Sequence, residues 1–158
     1  MADPAFLTLL KGEELRAAGV PAPWSFGKAD RVRFGEIDAL GHVNHTVYLQ
    51  WFEALRVEYL MDYGVSQFTG NDMQIVLKSV GAQYHAPMFV GQKYIAATRT
   101  TAFRNTSFQM HYGVWCEGVL TMEGQALVVC LEQDGRTKRP LTAQMRETFV
   151  TRDGAETP

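Results

Sequence analysis

Asp38 sits in a segment, Arg33 to Tyr48, that reads as a short strand, a tight loop and the start of a helix. That order sets its carboxylate beside a helix N-terminus. The unpaired backbone N–H groups there can polarise a carbonyl and hold an oxyanion. A carboxylate facing a polarised carbonyl can attack it directly, giving a mixed anhydride. It can also orient and deprotonate a water that attacks instead. Neither route needs a metal, a cofactor or a serine triad. The plainer use of an Asp at such a place is as a turn or capping residue. Gly41 permits an unusual backbone turn, and Asn44 has the side chain of a helix cap. His42 has the residue type to bond within the loop or to orient Asp38. A lone His is more often a satisfied structural group than a catalyst.

The elements that must position this loop follow from periodicity. Residues 30–36 read as a first strand. Thr46 to about Tyr63 reads as the main helix, with Gly64 as its stop. Val47, Trp51, Leu55 and Tyr59 recur at helical spacing, as do Tyr48, Phe52 and Leu60. A helix with so wide an apolar face is well buried. Glu53 and Arg56 lie between those stripes, where an i,i+3 contact supports the helix modestly. From Met73 the period changes. Residues 73–84, 92–103, 106–117 and 119–133 read as strands, with turns at Arg104-Asn105 and Glu117-Gly118. One strand, one long buried helix and a run of antiparallel strands define an α+β layer architecture. Upstream, residues 4–19 carry a loose helical pattern, broken by Val20-Pro21-Ala22-Pro23-Trp24. The expected organisation is an N-terminal helical extension over 1–28, a main domain over 29–150, and a loose tail over 151–158.

Composition narrows the function classes. The chain has 158 residues and a formal net charge of −2, with no basic stripe interleaved with aromatics. Nucleic acid and anionic membrane surfaces are therefore poor partners. No long apolar run or basic leader marks a membrane span or signal peptide, and a cytoplasmic location is the expectation. Cys116 and Cys130 lie in apolar strand-like segments without a CxxC or Cys/His cluster, which favours buried reduced thiols. No metal site and no cofactor are expected.

The run Phe34 … Asp38-Ala39-Leu40-Gly41-His42-Val43-Asn44 … Tyr48 … Phe52-Glu53 … Arg56 resembles the hotdog-fold acyl-CoA thioesterases of the 4-hydroxybenzoyl-CoA thioesterase type. The likeness continues from Tyr84 through Pro87 to Gly91 and in Arg104-Asn105-Thr106-Ser107, covering roughly residues 30 to 150. It implies a hotdog fold, in which an antiparallel sheet wraps a long central helix, and a homodimer or homotetramer. It implies a thioester substrate on coenzyme A or on an acyl-carrier protein. Carried over residue by residue, Asp38 becomes the catalytic carboxylate and the His45 backbone N–H the carbonyl-polarising donor. Asn44 and His42 stand beside them; for His42 the pattern supports its presence but no specific role, and a place near the thioester sulfur stays open alongside a bond within the loop and the orienting of Asp38. Gly41, Tyr48, Phe52, Tyr84, His85, Arg104 and Ser107 become substrate-binding candidates. Lys138 and Arg139 have the residue type for a phosphate contact, although exposed Arg and Lys usually occur without one. Two positions depart from the pattern. Glu36 stands where relatives often carry Asp, and Ile37 replaces a residue that is often polar. If the strand persisted through Glu36, its side chain would share a side with Asp38; the plainer reading is a solvated or salt-bridged carboxylate. Two other functions fit the same residues. One is a hotdog hydratase or dehydratase using Asp38 and His42. The other is a non-catalytic acyl-CoA-binding protein, because fold alone does not establish chemistry.

Overall fold

The computed structural model describes residues 1–157. In chain order the elements are β1 (Leu9–Lys11), α1 (Glu13–Ala17), β2 (Phe26–Arg31), a 3-10 turn (Phe34–Glu36) and α2 (His45–Asp62). There follow β3 (Gln74–Tyr84), β4 (Lys93–Phe103), β5 (Ser107–Cys116), β6 (Val119–Leu131) and α3 (Ala143–Asp153). The six strands form one sheet in the order β1-β2-β4-β5-β6-β3. Every neighbouring pair is antiparallel.

The stripe read from the sequence is the stripe α2 buries: Val47, Tyr48, Trp51, Phe52, Leu55, Tyr59 and Leu60. Strands β2 to β6 all meet this helix. The Tyr59 ring stands edge-on to Phe26 of β2 at 5.8 Å, and its hydroxyl pairs with Thr100 Oγ1 of β4 at 2.7 Å. Phe52 stacks on Tyr112 of β5 at 4.5 Å. The Tyr84 hydroxyl of β3 donates to the His45 carbonyl at 2.9 Å. On β6, a Cβ at Gly124 would fall 2.6 Å from the Phe52 ring, so only glycine lets helix and sheet approach this closely. This is the hotdog arrangement that the resemblance implies.

The other face of the sheet is covered as well. Leu10, Leu15, Val20 and Trp24 form a second apolar cluster with Ala29, Ile95, Ala97 and Trp115. Strand β4 is therefore buried on both faces along much of its length, which is why it reads as a nearly continuous apolar run. The expected turn at Glu117-Gly118 joins β5 to β6 with both residues at positive φ, the geometry whose twist matches antiparallel strands. Cys116 and Cys130 are free and buried. Burial pushes the Cys116 thiol up and the Cys130 thiol up to about 11, so neither is a ready thiolate at neutral pH. No helix among the described residues is long and apolar enough to cross a membrane.

Three expectations are corrected. The strand that leads into the Asp38 loop is not residues 30–36 but Phe26–Arg31. Its ladder to β4 ends at Arg31↔Lys93, and the Glu36 N–H then turns back onto the Arg33 carbonyl at 3.0 Å. The helical pattern over 4–19 is helix only at Glu13–Ala17; Leu9–Lys11 is an edge strand on β2. The loose tail expected over 151–158 is instead tied down through Glu156. Helix α3 runs to Asp153, Gly154 closes it at φ +64, and the Glu156 N–H donates to the Thr101 carbonyl of β4 at 2.8 Å.

Candidate active site

Asp38 lies in a small ladder that leads directly into α2. Its N–H donates to the His42 carbonyl at 2.8 Å, and the Asn44 N–H donates to the Glu36 carbonyl at 2.9 Å. Ile37 bridges Val43 between them. The loop closes over Gly41, whose N–H donates to the Asp38 carbonyl at 3.0 Å. Gly41 has φ +81 and open space around it, so backbone conformation and not crowding demands glycine there. The Asp38 carboxylate works asymmetrically. Oδ1 accepts from the N–H groups of Leu40 at 2.8 Å and His42 at 3.3 Å. Oδ2 accepts none of the hydrogen bonds found among the described residues. The turn-forming use of Asp38 is therefore real, but it occupies one oxygen and leaves the other open.

The helix start completes the site. Asn44 caps α2: its Oδ1 accepts from Thr46 N–H and from Thr46 Oγ1, both at 2.9 Å. The Val47 N–H donates to the Asn44 carbonyl at 2.9 Å. The His45 N–H has no acceptor among the described residues, and His45 itself is exposed. An open carboxylate oxygen and an open N–H at the first position of an 18-residue helix thus belong to one eight-residue stretch.

Long-range contacts that the sequence did not announce hold this stretch in place. Glu36 Oε1 accepts from Trp51 Nε1 at 3.0 Å, and its Oε2 accepts from the Arg33 N–H at 2.7 Å. Since β2 has ended, Glu36 faces α2 and clamps the loop to it. The Val43 N–H donates to the Met88 carbonyl at 2.9 Å. The His42 ring stands edge-on to Phe89 at 5.3 Å and makes no hydrogen bond among the described residues. His42 contributes to Asp38 through its backbone.

The remaining candidates divide by position. Tyr48 is buried, stands 5.5 Å from the Tyr84 ring, and has its hydroxyl pushed up to about 12 by burial. Tyr84 is half-exposed above the helix start. Phe52 is 1% exposed and spends its ring on Tyr112, so within one chain it offers a ligand no surface. His85 points to the other face of the sheet, where its Nε2 meets Glu123 Oε2 at 3.0 Å. His111 approaches the second Glu123 oxygen at 3.4 Å. No group of three or more His, Cys, Asp or Glu able to hold a metal ion is found among the described residues. Arg104 and Ser107 lie in the β4–β5 hairpin, where the Arg104 N–H donates to the Ser107 carbonyl at 2.8 Å. That hairpin is the full length of β4 away from Lys93, about 33 Å at strand rise, and Lys93 marks the Asp38 end. The Arg139 N–H donates to the Cys130 carbonyl, placing Lys138 and Arg139 at the far end as well.

Comparison with known proteins bears on the fold and the family. A model of the thioesterase-like superfamily matches residues 32–149. A crystal structure of a thioesterase-superfamily protein from Jannaschia is similar with a TM-score of 0.94 and 44% identity, over 98% of this chain and 99% of that one. A thioesterase from Thermus thermophilus, solved in complex with coenzyme A and Zn, has a TM-score of 0.71 and 27% identity over 82% of this chain and 95% of its own. The acyl-CoA thioester hydrolase YbgC of Escherichia coli is 29% identical over 105 residues, 65% of this chain and 78% of its own.

Proposed function

The chain belongs to the thioesterase-like superfamily, and from that premise we propose that it hydrolyses an acyl-CoA thioester to a carboxylic acid and free coenzyme A. The observation that carries this reading is an Asp38 Oδ2 and a His45 N–H that are both open, seven residues apart across one loop that leads into α2. Asp38 acts as general base. Residues 39–41 and 45 around it are exposed, so water reaches Oδ2 without a channel. Oδ2 takes a proton from that water as its oxygen attacks the thioester carbon. The electron pair of the C=O moves onto oxygen and is held by the His45 N–H. The tetrahedral intermediate collapses with cleavage of the C–S bond, and the departing thiolate takes up the proton that Asp38 removed from water, which restores the carboxylate. Direct attack by Oδ2 is the competing route. Rapid quench and peptide mass measurement separate them, because only direct attack places an acyl group on the peptide containing Asp38.

The decisive assay is thiol release from a panel of short, long and aromatic acyl-CoAs. Turnover of any of them supports the reading; binding without release by every substrate overturns it in favour of an acyl-CoA-binding protein.

The role given to His45 is testable through its backbone alone. His45→Ala keeps the N–H and is expected to retain activity within a few-fold. His45→Pro removes that donor along with the imidazole without disturbing the helix start, since proline is favoured at the first helical position, and comparison with the alanine variant isolates the N–H. Asn44, at φ −58 and ψ 135, already has the conformation a following proline requires. The proline variant is expected to lose about 100-fold in kcat, the low end for one oxyanion donor, because the helix start is exposed. Equal loss in both variants would give the role to the imidazole.

A second copy of the chain completes the reading. Strand β3 has 11 residues and, among the described residues, pairs only with β6, leaving a long free edge. Leu77 and Val80, on the helix side of that strand, are 43% and 47% exposed. Long apolar edges are aggregation-prone unless covered, and a two-fold partner covers them. Antiparallel β3–β3 pairing brings the Gln74 end of one copy beside the Tyr84 end of the other. The Arg104 hairpin lies at the Gln74 end, since Gln74 pairs Leu131 and Ser107 pairs Val129. Arg104 would then serve the partner's Asp38 site, as a contact for the phosphates of coenzyme A. Val80→Lys is expected to shift light-scattering mass from dimer toward monomer and to lower turnover with it; an unchanged mass would place the interface elsewhere.

A further inference from the structure

A cavity of about 790 Å³ lies on the outer face of the sheet, away from α2. Its floor is apolar, formed by Ala29, Ile95 and Trp115, and its roof is residues 1–6. The volume suits a small organic ligand. The roof is fastened lightly. The Ala2 N–H donates to the Ala17 carbonyl at 2.6 Å. Asp3 Oδ2 meets Lys93 Nζ at 2.5 Å, but both side chains are more than 60% exposed, and such pairs contribute little. The Phe6 ring lies under the guanidinium groups of Arg31 and Arg33 at 5.8 and 5.4 Å. Arg31 makes no ion pair among the described residues.

The roof therefore offers an apolar ring and a carboxylate to an apolar floor whose rim carries Lys93 and Arg31, along with Asp30, which is already paired to Arg33, and Glu117. Those are the two features of an amphiphilic acid. We propose that this cavity binds a free acyl or aryl carboxylate, with its apolar body on Ile95 and Trp115 and its carboxylate on Lys93. The ligand takes the place of Asp3, and residues 1–6 are the strap it displaces. The ligand class coincides with the acid that thioester hydrolysis releases, but binding here needs no turnover and stands or falls independently of it.

Calorimetric titration of octanoate, with octanol as the uncharged probe, tests this on the full chain. Lys93→Met is expected to weaken octanoate about tenfold, by loss of a charge-assisted contact. Asp3→Asn removes the internal competitor and is expected to tighten octanoate several-fold. Octanol should respond to neither change. Both positions are exposed, so the folded state is not at stake. Octanoate affinity that is absent, or equal in all three proteins, overturns the proposal. So does an affinity that changes with Asp38→Asn and not with Lys93→Met, which would put the acid in the Asp38 site.

Discussion

Asp38→Asn is expected to lower thiol release from acyl-CoA by about 100- to 10,000-fold, the range for loss of a positioned acid–base group. The substitution isolates the chemistry because it preserves the loop. The amide oxygen can still accept from the N–H groups of Leu40 and His42, as Oδ1 does. Gly41 still closes the turn, and Glu36 still clamps the loop to Trp51. What disappears is the basicity of the second oxygen, which carries no structural hydrogen bond among the described residues. The loss corresponds to about 3–5 kcal/mol of barrier. The melting temperature should remain close to that of the unchanged protein. Thiol release and a thermal melt on one preparation check both halves. Equal activity in the two proteins would sink the role assigned to Asp38.

The parts of this site that were legible in the sequence are the parts contiguous in it. Asp38, Gly41, Asn44 and His45 fall within eight residues, so local rules for turns and caps already place a carboxylate at a helix start. The contacts that fix the loop join residues far apart. Glu36 with Trp51, Tyr84 with His45 and Val43 with Met88 leave no periodic trace. The position of Arg104 also depends on which end of a strand it occupies, which local pattern does not specify.

The same division runs through the fold. Helix α2 and strands β3 to β6 show their period because each is long. Strand β2 does not, because Gly27, Lys28 and Asp30 interrupt it and its identity comes from pairing with β4. Strand β1 has three residues, too few to show a period. Helix α3 does leave a signal in the sequence. Thr142 caps it, with Met145, Phe149 and Asp153 at four-residue intervals and Gly154 at its end.

The last of those residues anchors the largest expected effect on stability. Asp153 is 3% exposed, and its carboxylate gathers groups from α2 and its C-cap, from β4 and from the segment before β2. Oδ2 accepts from the Tyr59 hydroxyl of α2 at 2.5 Å and from the Thr100 N–H of β4 at 2.7 Å. Oδ1 accepts from the Tyr63 hydroxyl and from Ser25 Oγ, each at 2.5 Å. Burial first, and the Asp153 charge after it, pushes both tyrosine hydroxyls up, so they remain donors across the working pH range. Asp153→Ala removes the shared acceptor and strands several buried donors at once. Each unsatisfied group costs about 1–3 kcal/mol, and stripping one member from a buried charged network costs about 3–5 kcal/mol. For a chain of this size that is a fall of roughly 8–15 °C in melting temperature. Asp153→Asn keeps one acceptor oxygen and should fall by less than the alanine variant. The melts must be compared at equal chain concentration, because association adds to apparent stability. A loss below about 1 kcal/mol in the alanine variant would mean that the donors find other partners. The α3–α2–β4 junction would then be held by Phe149 packing against Phe103 and Phe108, with no contribution from this carboxylate.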